Sequence, residues 1–347
     1  MGRERSFPYL LSMLDLQRLK RIRLHERPLG QVLVGNFFLR PDYAFPKRTE
    51  IVLEGLEHLP DRPVFLAMNH TDRYNYWPFQ YALYRRGLRF TATWVKGKYY
   101  ESRLLAWFLD HTNNIPLPSR GYLITSEFRK RTGHLPGRDA YRYLRDLVDR
   151  EIGPGDAEPP PRRDLMSFLR SFSDSIGQQH VEEDFLIYSD RLWKALLEEV
   201  VRLNRLALEE RDLHLLVFPE GTRNPRLGKG RTGLAQMSQY LGGTILPVGC
   251  SGSDRVYPDN LPFARGGRIV YRIGSPLPPG GPELAPYRVT EKVTPFTREA
   301  TRRYGARYEA ITRVVMDRID GLLDPPYRRP EGDEGSEEGG IDRFISG

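Results

Sequence analysis

Two short strings of this chain carry side chains that can do chemistry. Residues 69–75 read Asn-His-Thr-Asp-Arg-Tyr-Asn, and residues 218–224 read Phe-Pro-Glu-Gly-Thr-Arg-Asn. In the first string, His70 can act as a general base, and Asn75 follows five positions later, near enough to orient its ring. In the second string, the glycine lets backbone amides approach a bound group, and the planar guanidinium of the arginine suits phosphate. The two strings therefore predict a general base and an anion-binding corner.

Each string follows an apolar run that predicts a buried strand. The runs cover residues 63–68 and 213–218, and Pro219 ends the second strand. Open α/β sheets place ligands at the carboxyl ends of their strands, which is where both strings begin. A single histidine after a strand is also common as a structural hydrogen-bonding residue, so His70 alone does not identify a catalytic site.

The alternation of apolar strands and helical patterns predicts the fold class. It indicates an α/β protein with a mainly parallel mixed sheet flanked by helices. Strands are expected near residues 51–53, 63–68, 90–95, 213–218, 244–250 and 268–273, and helices near 7–24, 76–86, 190–210, 230–243 and 297–323.

The two strings together resemble the blocks of the glycerolipid acyltransferase family, of the lysophosphatidate acyltransferase type. That family has His, four residues and Asp in one block and Phe-Pro-Glu-Gly-Thr-Arg in another. Residues 52–60 are similar to the strand and turn before the histidine block. Residues 93–120 are similar to the second block, which ends in a substrate-binding arginine, and residues 244–249 are similar to the fourth. The order of four blocks is more specific than any one of them.

The resemblance implies a reaction and a set of roles. His70 would take the proton of an acceptor hydroxyl, which then attacks the thioester of acyl-CoA or acyl carrier protein directly. The expected acceptor is a lysophospholipid, first of all 1-acylglycerol 3-phosphate, in phospholipid synthesis. No cofactor or metal is expected beyond the thioester cosubstrate. Backbone amides near residue 221 or in the turn at 247–249 are the expected donors to the oxyanion. The residues expected to hold the acceptor are Glu220, Gly221, Thr222 and Arg223, with Arg120 and Lys96.

One departure from the family pattern concerns the partner of the histidine. Asn75 stands where the family has aspartate, and Asp72, two residues after His70, is the residue that could substitute for it. An asparagine can accept a hydrogen bond from the imidazole but carries no charge to stabilise an imidazolium. In the serine protease triad the same exchange costs about four orders of magnitude in rate. Two alternatives therefore stay open: a catalytically weakened lipid-binding protein with this fold, or an acyltransferase for a different lysolipid.

The chain is expected to have three parts. Residues 1–48 form an N-terminal helical segment, residues 49–325 the acyltransferase domain, and residues 326–347 an acidic, disordered tail. Within the domain, residues 121–189 are expected to be a helical insertion, with helices near 138–151 and 163–176. It is either a lid that shapes the acceptor pocket or touches the membrane, or a surface elaboration.

Composition and charge limit the partners and the location. The 347 residues include 39% hydrophobic residues and carry a formal net charge of +8, and no apolar run approaches the roughly 18 residues that cross a bilayer. Near the amino terminus, basic residues follow an apolar group, which fits either an interfacial helix on an anionic membrane or a helix docked on the domain. There is no signal-peptide pattern and a single cysteine, which predicts a cytoplasmic protein bound peripherally to the inner membrane face. Without zinc-finger spacing or an RNA-binding aromatic block, nucleic acid is not expected.

Overall fold

The computed structural model describes residues 14–151, 153–173 and 181–330. Their strands form one sheet in the order β1-β7-β6-β2-β5-β3-β4, and every neighbouring pair is parallel except β6 with β7. The prediction of a mainly parallel mixed sheet with flanking helices is confirmed. The strands are β1 Thr49–Glu54, β2 Phe65–Met68, β3 Thr91–Lys96, β4 Asn114–Leu117, β5 His214–Val217, β6 Ile245–Ser251 and β7 Gly267–Ile273.

Helices cover both faces of the sheet. Two of them continue into π-helical turns, at Val34–Leu39 and Leu206–Glu210, and short 3-10 turns lie at Leu56–His58, Gly97–Glu101, Ala285–Tyr287 and Pro325–Tyr327. The α-helices are α1 Leu16–Arg21, α2 Leu29–Leu33, α3 Arg40–Asp42, α4 Tyr76–Arg85, α5 Arg103–His111, α6 Arg120–Thr132, α7 Arg138–Asp149, α8 Arg163–Arg170, α9 Val181–Arg205, α10 Gly233–Leu241, α11 Ser253–Val256 and α12 Arg298–Leu322.

Alternate residues of the central strands enter two separate apolar cores. Phe65 and Ala67 of β2 belong to the core under α9, α10 and α12, whereas Leu66 and Met68 belong to the core under α4. All four side chains are fully buried. A strand buried on both faces has no polar alternation, which explains why the sequence shows continuous apolar runs here.

The edge strand β4 was not predicted from the sequence. Its run Asn-Ile-Pro-Leu contains Pro116, and proline cannot donate a hydrogen bond to a ladder. Since β4 pairs with β3 on one side only, the missing donor faces the open edge and the strand tolerates it. Pro116 therefore hid this strand in the sequence, although proline is compatible with a strand at the edge of a sheet.

The N-terminal segment is docked on the domain where the structure describes it. Leu19, Ile22 and Leu24 are buried, and α1 packs against α9. Of the two interpretations of the predicted helix at 7–24, this part therefore fits docking on the domain. The first thirteen residues of that segment lie outside the described residues, as do residues 174–176 of the predicted helix at 163–176 and residues 331–347 of the acidic tail.

The insertion has an apolar cluster of its own. Phe128 of α6, Leu144 of α7, Phe168 of α8 and Phe185 of α9 are fully buried within it. Helix α9 then continues into the core under the sheet, where Val200 is buried. The insertion is therefore joined to the domain by a continuous helix that leads toward the site.

Candidate active site

The two strings meet at one edge of the sheet. Strands β2 and β5 are parallel neighbours with Ala67 opposite Val217, so the residues that follow them lie side by side. The ring of His70 stacks on that of Phe218, with centroids 4.0 Å apart and planes 16° apart. The backbone amide of Asn224 donates to the carbonyl of His70 over 2.9 Å. Parallel pairing thus brings together residues that are 150 positions apart in the chain.

Asn75 sets the tautomer of His70. Its Nδ2 donates to the carbonyl oxygen of Asn69 over 2.8 Å, which leaves Oδ1 facing Nδ1 of His70 at 3.0 Å. Because an amide oxygen only accepts, Nδ1 must carry the proton and Nε2 must carry the lone pair. The hydroxyl of Tyr271 donates to the carbonyl of Asn75 over 2.6 Å and holds this residue, which is completely buried. The imidazole is therefore presented as a base.

Burial lowers the pKa of His70 to about 4. The hydrogen bond that His70 donates to Asn75 opposes this shift, and the positive charges of Arg223 and Lys96 add to it. A buried imidazole between cations resists a further positive charge. At neutral pH the ring is therefore neutral and able to accept a proton, but its basicity is low.

Glu220 joins the His70 turn to the loop after β5. Its side chain is 3% exposed, and its two oxygens accept the backbone amides of His70 and Gly228, each over 2.8 Å. Burial raises the pKa of this carboxyl to about 7, against the two hydrogen bonds, which lower it. The resemblance implied contact with the acceptor. In the structure Glu220 bonds backbone amides and fixes the position of His70, and contact with an acceptor stays a prediction.

Asp72 lies in the same turn but hydrogen-bonds elsewhere. Its carboxylate accepts the hydroxyl of Thr71 over 2.8 Å and the amide of Tyr74 over 2.7 Å. Burial raises its pKa. These contacts hold the turn in shape, and the ring partner that the structure gives His70 is Asn75. A catalytic role for Asp72 stays a prediction.

The Gly-Thr-Arg turn supplies open backbone donors. Gly221 has φ of +66°, a conformation that favours glycine, and its own amide donates to the carbonyl of Phe218 over 3.0 Å. The expected oxyanion donors at 247–249 lie inside β6, which is paired on both sides. Among the described residues, the amides of Thr222 and Arg223 make no hydrogen bond. These two amides are therefore the donors that remain for a bound anion.

The predicted cations separate into two places. Lys96 at the end of β3 and Arg223 are exposed, and both act on the charge state of His70. Arg120 opens α6, and its described contacts lie toward the insertion. Its Nη1 donates to the carbonyl of Val148 over 3.2 Å, and its guanidinium lies 5.4 Å from the ring centre of Trp193. The structure thus brings two of the three predicted cations to the histidine and places the third between Val148 of the insertion and Trp193 of α9.

An apolar cavity of about 300 Å³ adjoins the stacked rings. It runs from Phe218 and Gly221 to Trp193, Leu197 and Val200 of α9. The sequence analysis did not identify these α9 residues, although their spacing of four and three is that of one helix face. The other lining residues are Trp94, Leu117, Pro118, Val217, Pro219, Arg231, Thr232, Gly233, Leu234, Gln236 and Phe296.

Comparison with known proteins finds one family model that matches part of the chain. Residues 170–251 match the family model described as Acyltransferase, and this segment includes β5, the Phe-Pro-Glu-Gly-Thr-Arg string and β6. This segment of the chain is therefore similar to that family. It matches no curated protein. Among solved structures it is similar to the 1-acyl-sn-glycerophosphate (LPA) acyltransferase PlsC from Thermotoga maritima, at 16% identity and a TM-score of 0.35, over 89% of this chain and 84% of that one.

A further property of the helices concerns the membrane. In the described ranges, none combines the length and the apolar character that a bilayer-spanning helix requires.

Proposed function

We propose that this acyltransferase moves a fatty acyl group from the thioester of acyl-CoA or acyl carrier protein to a free hydroxyl of a lysophospholipid. The first acceptor to consider is 1-acylglycerol 3-phosphate. The observation that carries the proposal is the hydrogen bond from Nδ1 of His70 to Oδ1 of Asn75, which leaves Nε2 unprotonated beside two cations. A base next to a cationic corner suits an acceptor that has both a hydroxyl and a phosphate.

In the proposed reaction Nε2 of His70 takes the hydroxyl proton of the acceptor. The hydroxyl oxygen forms a bond to the carbonyl carbon of the thioester, and the carbonyl oxygen becomes an oxyanion. The oxyanion then collapses, the carbon–sulfur bond breaks, and the thiol leaves with the proton from the imidazolium. The backbone amides of Thr222 and Arg223 are the proposed donors to the oxyanion or to the phosphate next to it.

The acceptor phosphate would change the basicity of His70. Arg223 and Lys96 lower the pKa of the ring when the site holds no anion. A phosphate bound between them would offset their charge and favour the imidazolium. The substrate would then supply the negative charge that Asn75 does not, so the reaction would depend on a phosphate-bearing acceptor.

The cavity beside Phe218 would hold an acyl chain. Its walls are apolar and aromatic, and it begins next to the ring that stacks on His70. Burying methylene groups there is favourable because it removes them from water. Since α9 forms one wall, the helix that leaves the insertion would help to set the accepted chain length.

The test is thiol release from acyl-CoA, and separately from acyl carrier protein, over a panel of lysophospholipids, glycerol 3-phosphate and monoacylglycerol. The matched control is His134→Ala, because His134 is an exposed histidine in the insertion. Acceptor-dependent release that His70→Ala abolishes and His134→Ala retains would support the proposal. Release that is equal with monoacylglycerol and with its phosphorylated form would contradict the role of the phosphate.

A second candidate function is lipid binding without catalysis, and Asn75 favours it. It predicts that lysolipid binds to the wild type and to His70→Ala with equal affinity, and that neither donor releases thiol with any acceptor. Turnover gained by Asn75→Asp alone would identify a family member that has lost its catalytic step.

A further inference from the structure

One face of the helix formed by α2 and its π-helical continuation carries exposed apolar side chains. Leu29, Leu33 and Phe37 recur every four residues and are 76%, 55% and 78% exposed. On the opposite side, Gly35 and Leu39 are buried toward the domain. The helix therefore packs by one face and presents large apolar side chains on the other.

Helix α5 extends this apolar surface. Leu104 and Trp107 are 78% and 60% exposed. The ring of Trp107 lies 4.6 Å from that of His111, and a Cβ added to Gly30 of α2 would lie 2.1 Å from the carbonyl oxygen of His111. The two helices are therefore in direct contact. We call Leu29, Leu33, Phe37, Leu104 and Trp107 the apolar face.

A groove lined by four arginines and by Asp15 and Asp110 borders the apolar face, and Arg18 forms an ion pair with Asp110 over 2.6 Å. The groove has a volume of about 760 Å³ and includes Leu29 and His111 among its lining residues. Residues 14–48 contain eight Lys and Arg and three Asp and Glu, a formal charge of +5, and the whole chain carries +8. The cations are thus concentrated beside the apolar surface. We call Arg18, Arg21, Arg23 and Arg27 the basic groove.

The same surface is close to the candidate active site. The ring of Phe38 lies 6.0 Å from that of Trp77, and the neighbouring Tyr76 lies 6.2 Å from Phe218, the ring that stacks on His70. Three aromatic rings in contact, those of Trp77, Tyr76 and Phe218, therefore connect the helix that carries the apolar face to the proposed base. A lipid held at this surface would have a short path to the site.

We propose that the apolar face and the basic groove dock the acyltransferase on an anionic bilayer surface. The apolar side chains would enter the boundary between headgroups and acyl chains, and the arginines would lie at the level of the anionic headgroups. Large exposed apolar patches are unusual on soluble proteins unless they contact a partner, and bordering cations favour an anionic lipid surface. The inference rests on the proposed function in one respect, since a lysolipid acceptor resides in such a surface.

The experiment is co-sedimentation of the full chain with phosphatidylcholine vesicles, with and without phosphatidylglycerol, in the absence of donor and acceptor. We expect binding that requires phosphatidylglycerol and weakens with salt. Leu33→Ser, Phe37→Ser and Trp107→Ser should each lower the partition coefficient by about tenfold, because each removes an inserted apolar side chain. Arg21→Gln and Arg23→Gln should each lower it by about fivefold.

Two matched controls separate docking from general surface effects. Ile187→Ser removes an apolar side chain of α9 that is 51% exposed, and Arg313→Gln removes an exposed cation of α12. Both should bind vesicles like the wild type. Circular dichroism and the melting temperature should be unchanged in all of these variants, because the replaced side chains are exposed.

Three results would overturn the proposal. They are no binding to phosphatidylglycerol vesicles, equal binding by the apolar-face variants and the wild type, and self-association that Phe37→Ser abolishes without any vesicle binding. The last result would make the surface an interface between copies of the chain. Acyl transfer to a short-chain acceptor dissolved as monomers is measured in parallel, so a failure of docking is distinguishable from a failure of the proposed reaction.

Discussion

The turn after β2 and the Arg120 end of the insertion differ in how completely their polar groups are partnered. At His70, the backbone amide, the backbone carbonyl and Nδ1 each make a hydrogen bond. In the second region, Arg120 donates one described hydrogen bond. Burial and the charge of Arg298 lower the pKa of Arg120. Nη2 of Arg298 is buried and has no hydrogen-bond partner among the described residues.

This difference indicates whether the side chains of each region are held in position before or after a substrate binds. The His70 turn is already held by groups of the protein, so its base has the correct tautomer before substrate arrives. The two arginines near the insertion have spare donors and repel each other, and an anion would stabilise them. We therefore expect substitutions at the first region to affect the rate and substitutions at the second to affect binding.

The largest effect is expected from His70→Ala. Loss of a general base should lower the rate of acyl transfer by about three orders of magnitude. The melting temperature should change little, since the residue is in a turn between elements and not within a strand or helix. Thiol release and thermal unfolding measure the two quantities. A rate within tenfold of the wild type would remove His70 from the mechanism.

Asn75→Asp should increase the rate, by about tenfold to a hundredfold. A carboxylate at this distance raises the pKa of an imidazole by roughly 1–3 units. For the wild type, kcat/KM should fall only as the pH drops through about 4, because His70 must be neutral to act as a base. In the variant this acidic limb should move to higher pH. The gain should be larger with monoacylglycerol than with a phosphate-bearing acceptor, and an unchanged pH profile would contradict the assignment.

Glu220→Gln should lower kcat by roughly tenfold. Glutamine offers one acceptor oxygen to the two backbone amides that Glu220 now binds, and an unpaired buried amide costs roughly 1–3 kcal/mol. A wild-type kcat in this variant would show that the contact to the His70 amide does not position the base.

The same variant tests the raised pKa of Glu220. The carboxyl is protonated in the folded protein up to about pH 7 but only to about 4.5 when unfolded. Its contribution to stability is therefore present below pH 4.5 and is lost as the pH rises through about 7. Between these values the unfolding free energy of the wild type should fall relative to that of Glu220→Gln. Parallel pH dependences in denaturant titrations would be inconsistent with this shift.

The smallest effects are expected when the cations are replaced. One replacement lies in each of the two regions, so their effects compare the regions directly. Arg223→Ala should raise KM for a phosphate-bearing acceptor by about tenfold or more, with a smaller change for the acyl donor. Arg120→Ala should raise KM by about fivefold with kcat unchanged, because its described contacts lie toward the insertion. A larger effect of Arg120→Ala on kcat than on KM would place this residue at the reacting groups.

The central sheet was predictable because its strands are buried on both faces. Continuous apolar runs identified β2, β5 and β6, and the pattern for α12 was within one residue of the observed ends. Pro116 obscured β4, since a sequence does not show which side of a strand lacks a partner. The described part of helix α9 includes the nine residues before its expected start, and Phe185 and Leu186 among them pack into the cluster of the insertion.

The sequence by itself determined which residues could act as base and orienting partner. A spacing of five residues across a turn and into the start of a helix brings Asn75 back to His70, and this reach depends on local backbone geometry alone. Only the tertiary structure decided that Glu220 binds the amide of His70, because that contact depends on the register of two parallel strands. It also decided the direction of the Arg120 side chain. This direction depends on how α6 packs against the helices of the insertion, and no local spacing in the sequence encodes that packing.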